Sequence, residues 1–297
     1  MWNYMSRTVV ALALACAGYI LVYRPLQLRW GATQEEVQRA MPGDEVQSKP
    51  VFNATRALTI RAKAEQAWPW IVQIGYRRAG WYGYDWIDND GIRSAEQILP
   101  GWQHVNVGET VPIWRGVNFR VTAIEPDKYF VFASESGADS MAIGLYPLNE
   151  NHTKLVWRIR LGPYNWKSRW IAAQLFTDAA DFIAVRQSLL GIKARAEGDA
   201  PEPARRMHGE LGLWLLSFLV FVLAEIGLIA SGELWLPLLV AASTGFLTVW
   251  LVLAKPPLWM DLLGLLAAAA LVWRVFRSPE ITEKAKGTAA RCELCDA

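Results

Sequence analysis

Apolar and polar residues alternate along this chain in three different ways. Residues 8–23 (TVVALALACAGYILVY) form an uncharged apolar run between Arg7 and Arg24, which as a helix would span roughly 24 Å. Three further runs, residues 211–230, 234–254 and 258–276, each approach the roughly 20 residues that cross a hydrocarbon core, with SGE and KPP as the turns between them. Between residues 211 and 276 the charged positions are Glu225, Glu233, Lys255, Asp261 and Arg274. Trp214, Trp235, Trp250, Trp259 and Trp273 stand towards the ends of the runs, where an amphipathic indole favours the headgroup layer, and the three runs read as a three-helix bundle. The first run reads as an uncleaved anchor, because its apolar stretch continues past the small-residue ACA at 15–17.

The segment between the apolar runs reads differently. After the first run, LRWGATQEEVQRAMPGDEV predicts a short helix with Thr33 as N-cap and Glu36 at the capping-box position, stopped by Pro42 and Gly43. NATRALTIR at 53–61 has the period of a strand, and AEQAWPWIVQIG that of a helix. From Glu109 to Leu161, ETVPIW, VNFRVTAIEP, KYFVFAS, DSMAIGLYPL and TKLVWRIRL are strands separated by short turns, hence an antiparallel meander. Alternation puts Phe119, Val121, Met141, Ile143, Leu145, Leu155, Trp157 and Ile159 on one face, and Arg120, Arg158 and Arg160 on the other, exposed one. Residues 166–197 predict a long helix whose apolar stripe, Trp166, Trp170, Ala173, Phe176, Ala180, Ile183 and Leu190, covers the apolar sheet face, with Asp178, Asp181, Arg186 and Lys193 elsewhere.

Charge and composition narrow the partners. Thirty Lys and Arg against 28 Asp and Glu give a net charge of +2, without the basic surface that binding to nucleic acid needs. Three cysteines cannot build a disulfide framework, and Cys292 with Cys295 is half of a zinc site at most, so no metal or other cofactor is expected. Bases flanking the runs number seven on the side of the large polar segment (Arg24, Arg29, Lys193, Arg195, Arg205, Arg206, Lys255) and six on the other (Arg7, Arg274, Arg277, Lys284, Lys286, Arg291). That excess orients the polar segment to the cytoplasm of a multi-pass protein of the cell membrane. Glu225, within a run, reads as a helix-helix hydrogen bond or an interfacial residue rather than an ion path.

The order strand, short helices, antiparallel strands, long C-terminal helix is similar to the helix-grip fold of the SRPBCC superfamily, which includes START, Bet v 1-like, polyketide cyclase/dehydrase and lipid-transport proteins. The blocks RWGATQEEVQRAMPGDE, AWPWIVQIGYRRAGWYGYDWIDN, ILPGWQHVNVGE and DFIAVRQSLLGIKARAE resemble a membrane-anchored bacterial subfamily over about residues 28–197. The resemblance implies an α+β domain whose curved sheet wraps a long helix around a cavity for a lipid or other apolar molecule. It transfers no catalytic set.

Candidate ligand contacts concentrate in RRAGWYGYDWIDNDG, residues 77–91. Trp81, Tyr82, Tyr84 and Trp86 fall where helix-grip proteins place the cavity mouth, and rings with polar tips can orient a ligand group. Phe119, Met141, Trp157 and Phe176 would line the interior. Asp85 and Asp88, three apart, suit an acid and base pair or, as local structure, helix caps and partners of Arg77, Arg78 and Arg93. DNDG at 88–91 lacks the glutamate of a calcium loop, since Leu99 stands at the twelfth position. His104 could act as a base only if it faced the cavity. Hydrolase, metalloprotease, nucleotide-binding and dehydrogenase fingerprints are absent from the sequence.

The chain therefore divides into an anchor (1–24), a connector (25–50), a helix-grip domain (51–200), a transmembrane bundle (208–277) and a polar tail (278–297). The expected function is membrane-tethered binding or transfer of a lipid or other hydrophobic small molecule. A cyclase or dehydratase using Tyr84, Asp85 or His104, and a non-catalytic interaction module of a membrane complex, are the alternatives.

Overall fold

The computed structural model describes residues 4–162, 171–230 and 235–277. Trp166, Trp170, the side chains of Ala173 and Phe176, and the Cys292 and Cys295 pair lie outside the described residues. The chain divides into two compact units, one of Leu26–Ala204 and the other of Met1–Pro25 with Arg205–Ala297.

The first unit is α+β, a six-stranded, wholly antiparallel sheet crossed by one long helix. Strands β1 (Phe52–Ile60), β2 (Thr110–Trp114), β3 (Val117–Glu125), β4 (Tyr129–Ser134), β5 (Asp139–Asn149) and β6 (His152–Leu161) stand in the order β1-β6-β5-β4-β3-β2. The meander follows from its turns: Gly116, Asp127 and Gly137 take positive φ where the strands reverse. β1 then closes the sheet against β6, with Arg56 opposite Trp157 and Ala54 opposite Ile159.

The concave face carries Phe119, Val121, Ile143, Leu145, Leu155, Trp157 and Ile159 in one apolar cluster, as the alternation predicts, with Met141 half-buried against it and Phe130 and Phe132 of β4 added. α6 (Ile171–Ala196) packs on it. Its stripe matches the predicted one only in part: Ile183 is buried as expected and so are Phe182, Val185, Leu189, Ile192 and Ala196, whereas Ala180 is exposed and Leu190 half-buried. Asp178 and Arg186, expected on the outer side, are 3% and 2% exposed. Polar side chains on a helix buried on more than one side erase the amphipathic signal from which a stripe is read.

The convex face is not wet either. The connector carries α2 (Arg24–Leu28) and α3 (Gln34–Gln38), whose Thr33 and Glu36 form a reciprocal capping box. It rounds the β1 edge, where Ala57 N donates to Trp30 O at 3.0 Å. Beyond that point Met41 packs with Ala57, Val131, Ala142 and Val156 on the outer face. Arg158, expected to be exposed, is buried beneath it and donates to the carbonyls of Glu36, Val37 and Arg39 and, at 2.7 Å, to Asp44. The connector thus belongs to the grip unit, because α3 ends over a buried cation that its terminal carbonyls satisfy.

The second unit is helical. α1 (Tyr4–Ala17) continues without a break through a π-helical Gly18–Tyr23 into α2, and Ser6–Leu28, 23 residues, is long and apolar enough to cross a membrane. That exceeds the run read from the sequence, because the helix carries on through Arg24 and Pro25. α7 (Ala204–Ala230) and α9 (Leu258–Phe276) also have the length and hydropathy to span, and α8 (Trp235–Ala254) is uncharged over its 20 residues. Ala11 of α1 shares a cluster with Ala224, Leu228, Val240, Val272 and Val275, so the first helix joins the other three rather than standing apart from them. Glu210 of α7 pairs with Lys255, at 3.3 Å, in the turn between α8 and α9.

Candidate functional site

The site is best built from the segment following α4 (Ala64–Val72), which covers one side of α6. Gly75 and Gly80 exchange both backbone hydrogen bonds at 3.1 Å, closing a tight loop from which Trp81 and Tyr82 enter the core. Tyr82 has φ 58°, a backbone conformation uncommon for a large residue, and three contacts hold it there. Its N–H donates to Ser94 Oγ at 3.0 Å, its hydroxyl donates to Trp70 O at 2.9 Å, and Gln73 Nε2 donates to that hydroxyl at 2.9 Å. Arg195 of α6 lies over its ring at 4.3 Å. Burial raises the phenol of Tyr82 above its ordinary range, so it stays neutral. Its polar tip is thereby used within the fold. Gln73, fully buried, also accepts from Leu99 N at 2.8 Å and Gln103 Nε2 at 3.0 Å, fastening the far end of the segment.

The acids divide their work. Asp85, at the start of α5 (Asp85–Asp88), accepts from Ser94 N at 3.0 Å and Ser94 Oγ at 2.5 Å, which closes the loop behind the helix. Asp90 accepts from the Tyr76 hydroxyl, from Arg77 and from Arg115, joining the tip of the segment to the β2–β3 turn. The Tyr76 hydrogen bond, with the two arginines, holds the Asp90 carboxyl down at about 2. Asp88 differs: both its carboxylate oxygens are buried and without a hydrogen-bond partner among the described residues. A Cβ on Gly83 would lie 2.9 Å from Asp88 Oδ2 and 3.7 Å from Ser188 Oγ, so Gly83, Asp88 and α6 meet at one point. Burial, and secondarily the neighbouring Asp85, push Asp88 up to about 7.

The interior contains a polar group that the sequence reading passed over. Arg56, 0% exposed, stands on the concave face in phase with Ala54, Leu58 and Ile60. It donates to Asp181 Oδ2 on α6 at 2.6 Å, to Gln27 O at 2.8 Å and to Gln27 Oε1 at 2.7 Å, with the Phe182 ring 5.3 Å from its Cζ. Beside it in the sheet, Trp157 is 2% exposed with its ring 6.1 Å from that of Trp81. Its Nε1 finds no acceptor among the described residues, and neither does Nε2 of the fully buried Gln27. The signal was present in NATRALTIR: a charged residue in the apolar phase of a strand needs a buried partner.

No protein-family model and no curated protein sequence matches the chain. Solved structures do resemble it in part. A polyketide-cyclase-like protein from Corynebacterium glutamicum is 16% identical over 52% of this chain and 91% of its own, with a TM-score of 0.28. Aha1 from Colwellia psychrerythraea is 16% identical over 49% of this chain and 96% of its own, with a TM-score of 0.29. A Staphylococcus saprophyticus protein is 12% identical over 50% of this chain and 96% of its own, with a TM-score of 0.32. Each neighbour is covered over nearly its whole length, and about half of this chain lies outside the match. The six-stranded antiparallel sheet with α6 packed on it has, in its own topology, the helix-grip layout.

Of the predicted contacts, Trp81, Tyr82, Phe119 and Trp157 share one core cluster, with Met141 packed half-buried against it. Tyr84 is buried at the start of α5. Trp86 is 56% exposed on the outside of α5, and His104 is exposed in the loop before β2, so neither faces the interior. Among the described residues no group of His, Cys, Asp and Glu has the arrangement of a metal site.

Proposed function

We propose that the grip unit binds a hydrophobic small molecule or lipid that carries a hydrogen-bond acceptor, in a protein tethered to a membrane by its apolar helices. The observation that carries this reading is the Trp157 indole, whose N–H points to no protein acceptor among the described residues although the residue is buried. A buried donor left unpaired costs about 1–3 kcal/mol, and a ligand oxygen would recover that cost. Around the donor, Trp81 and Ile143 supply apolar surface, and Arg56 with Gln27 supplies polarity that the same oxygen-bearing end would meet. The ligand is therefore amphipathic, with its oxygenated end inward. The tether favours this role, since a molecule that partitions into lipid is reached most readily by a binder held beside the bilayer.

Native mass spectrometry and organic extraction of the full chain purified in detergent test the reading. An apolar, oxygen-bearing molecule should co-purify, and Trp157→Phe, which keeps the ring and removes the N–H, should lower its occupancy by about tenfold in affinity. A chain that carries no such molecule, with an ordered water on Trp157 Nε1 in an experimental map, overturns it.

A further inference from the structure

The outer surface of the same segment has an unusual composition. Trp86, Ile87 and Ile92 on and beside α5 are 56%, 42% and 48% exposed, and Trp114 and Val117 flanking the β2–β3 turn are 53% and 44% exposed. These two groups form one patch because Asp90, in the middle of the first, is bound by Arg115, in the middle of the second. A patch of this kind, led by two tryptophans, is uncommon on a surface that meets only water.

The position of the patch along the chain identifies what covers it. Gln27, at the end of the first span-length helix, is joined through Arg56 to Asp181 on α6. Glu202, two residues before the next span-length helix begins at Ala204, accepts from Gln187 of α6 at 3.0 Å. Asp88, on the helix that carries Trp86 and Ile87, lies beside Ser188 of α6. Two turns of α6, from Asp181 to Ser188 and roughly 10 Å long, therefore hold both chain ends that lead into membrane-length helices and the base of the exposed patch. Chain ends entering a bilayer lie at its headgroup layer, which is where tryptophan, isoleucine and valine beside exposed arginine are stable.

We infer that Trp86, Ile87, Ile92, Trp114 and Val117 form a docking surface for the headgroup layer of the bilayer in which the chain's own helices sit. The patch inserts its side chains at the depth where apolar chains meet headgroups, and Arg77, Arg93 and Arg115 at its margin meet phosphate groups. The inference is independent of whether the interior holds a ligand.

The test uses the full chain with Cys16, Cys292 and Cys295 replaced by serine, reconstituted in vesicles of phosphatidylcholine and phosphatidylglycerol. A single environment-sensitive fluorophore is attached at Ile87→Cys, at Val117→Cys or, on the convex face, at Thr122→Cys, and lipids carrying a nitroxide near the headgroup are added. Fluorophores at both patch positions should shift to the blue and lose most of their emission, while the one at Thr122→Cys stays bright. Two patch positions on different elements guard against one variant misfolding, which near-ultraviolet circular dichroism detects. Equal quenching at patch and convex positions overturns the inference. So does cross-linking between copies at Ile87→Cys without quenching, which would make the patch an interface with a second copy.

Discussion

Arg56 on β1 and Asp181 on α6 form an ion pair of 2.6 Å on the concave side of the sheet, where every neighbouring strand position is apolar. Burial raises the Asp181 carboxyl and the guanidinium opposes that rise, so the pair is held by mutual need. Asp181→Leu alone should destabilise the full chain by about 3–5 kcal/mol, since it leaves a buried guanidinium short of its anion. Arg56→Met with Asp181→Leu should recover most of that loss. Thermal melting in detergent checks both, and a double variant no better than the single one would mean that Gln27, not Asp181, is the partner that matters.

Gly191 shows how closely the rim segment sits on α6. A Cβ at this position would lie 2.4 Å from the Tyr82 carbonyl oxygen and 2.5 Å from Tyr82 Cβ. The backbone of one element therefore rests directly on that of the other. Gly191→Ala should cost about 1–3 kcal/mol by overpacking, and the loss should appear as faster hydrogen exchange over residues 80–95 before the sheet is affected. Unchanged exchange there would place the strain elsewhere.

How much of this was legible follows from what a one-dimensional pattern carries. All six strands and the apolar face through Trp157 follow from alternation, because a pleated strand gives each face every second residue. The fate of the other face does not. Arg158 alternates as an exposed residue would, yet the connector crosses the β1 edge and buries it, and only the capping box at Thr33 hinted that the connector was ordered. The stripe of α6 departs from its pattern, apart from Ile183, for a related reason, since Asp178 and Arg186 have the character of solvent-facing residues and yet are buried by the elements around them. In the site, the aromatics of residues 81–84 were found by composition. Arg56 was visible as a charge in the apolar phase of its strand, but nothing in the sequence pairs the Tyr82 hydroxyl with Trp70 and Gln73, which come from a separate helix and its end.

Asp90 should govern the rim without governing the fold. Its three donors, Tyr76, Arg77 and Arg115, come from two segments, and the arginines are largely exposed. Its carboxyl is held down at about 2, so the tie is fully present above the ordinary carboxylate range near 4 and is lost as pH falls through about 2. At neutral pH Asp90→Asn should speed exchange over residues 85–92 while shifting the melting temperature little, because exposed charge pairs contribute little to global stability. A large drop in melting temperature would contradict that division.

Asp88 should give the rim the opposite pH response. Its carboxyl is raised to about 7 by burial and by Asp85, so the folded rim prefers the protonated form. An unfolded aspartate titrates near 4, so the stability that protonation confers is fully present below about pH 4 and is lost progressively as pH rises through about 7. Exchange over residues 83–94 should therefore accelerate between mildly acidic and mildly alkaline buffer. Asp88→Asn, neutral and of the same shape, should hold the slow rate throughout, apart from the intrinsic dependence of exchange on hydroxide. Asp85→Asn gives the control, because it removes the neighbouring charge while also weakening the Ser94 tie: the segment should loosen at every pH and the titration should move downward. If wild type and Asp88→Asn have parallel pH profiles, the buried carboxyl is not the group that titrates.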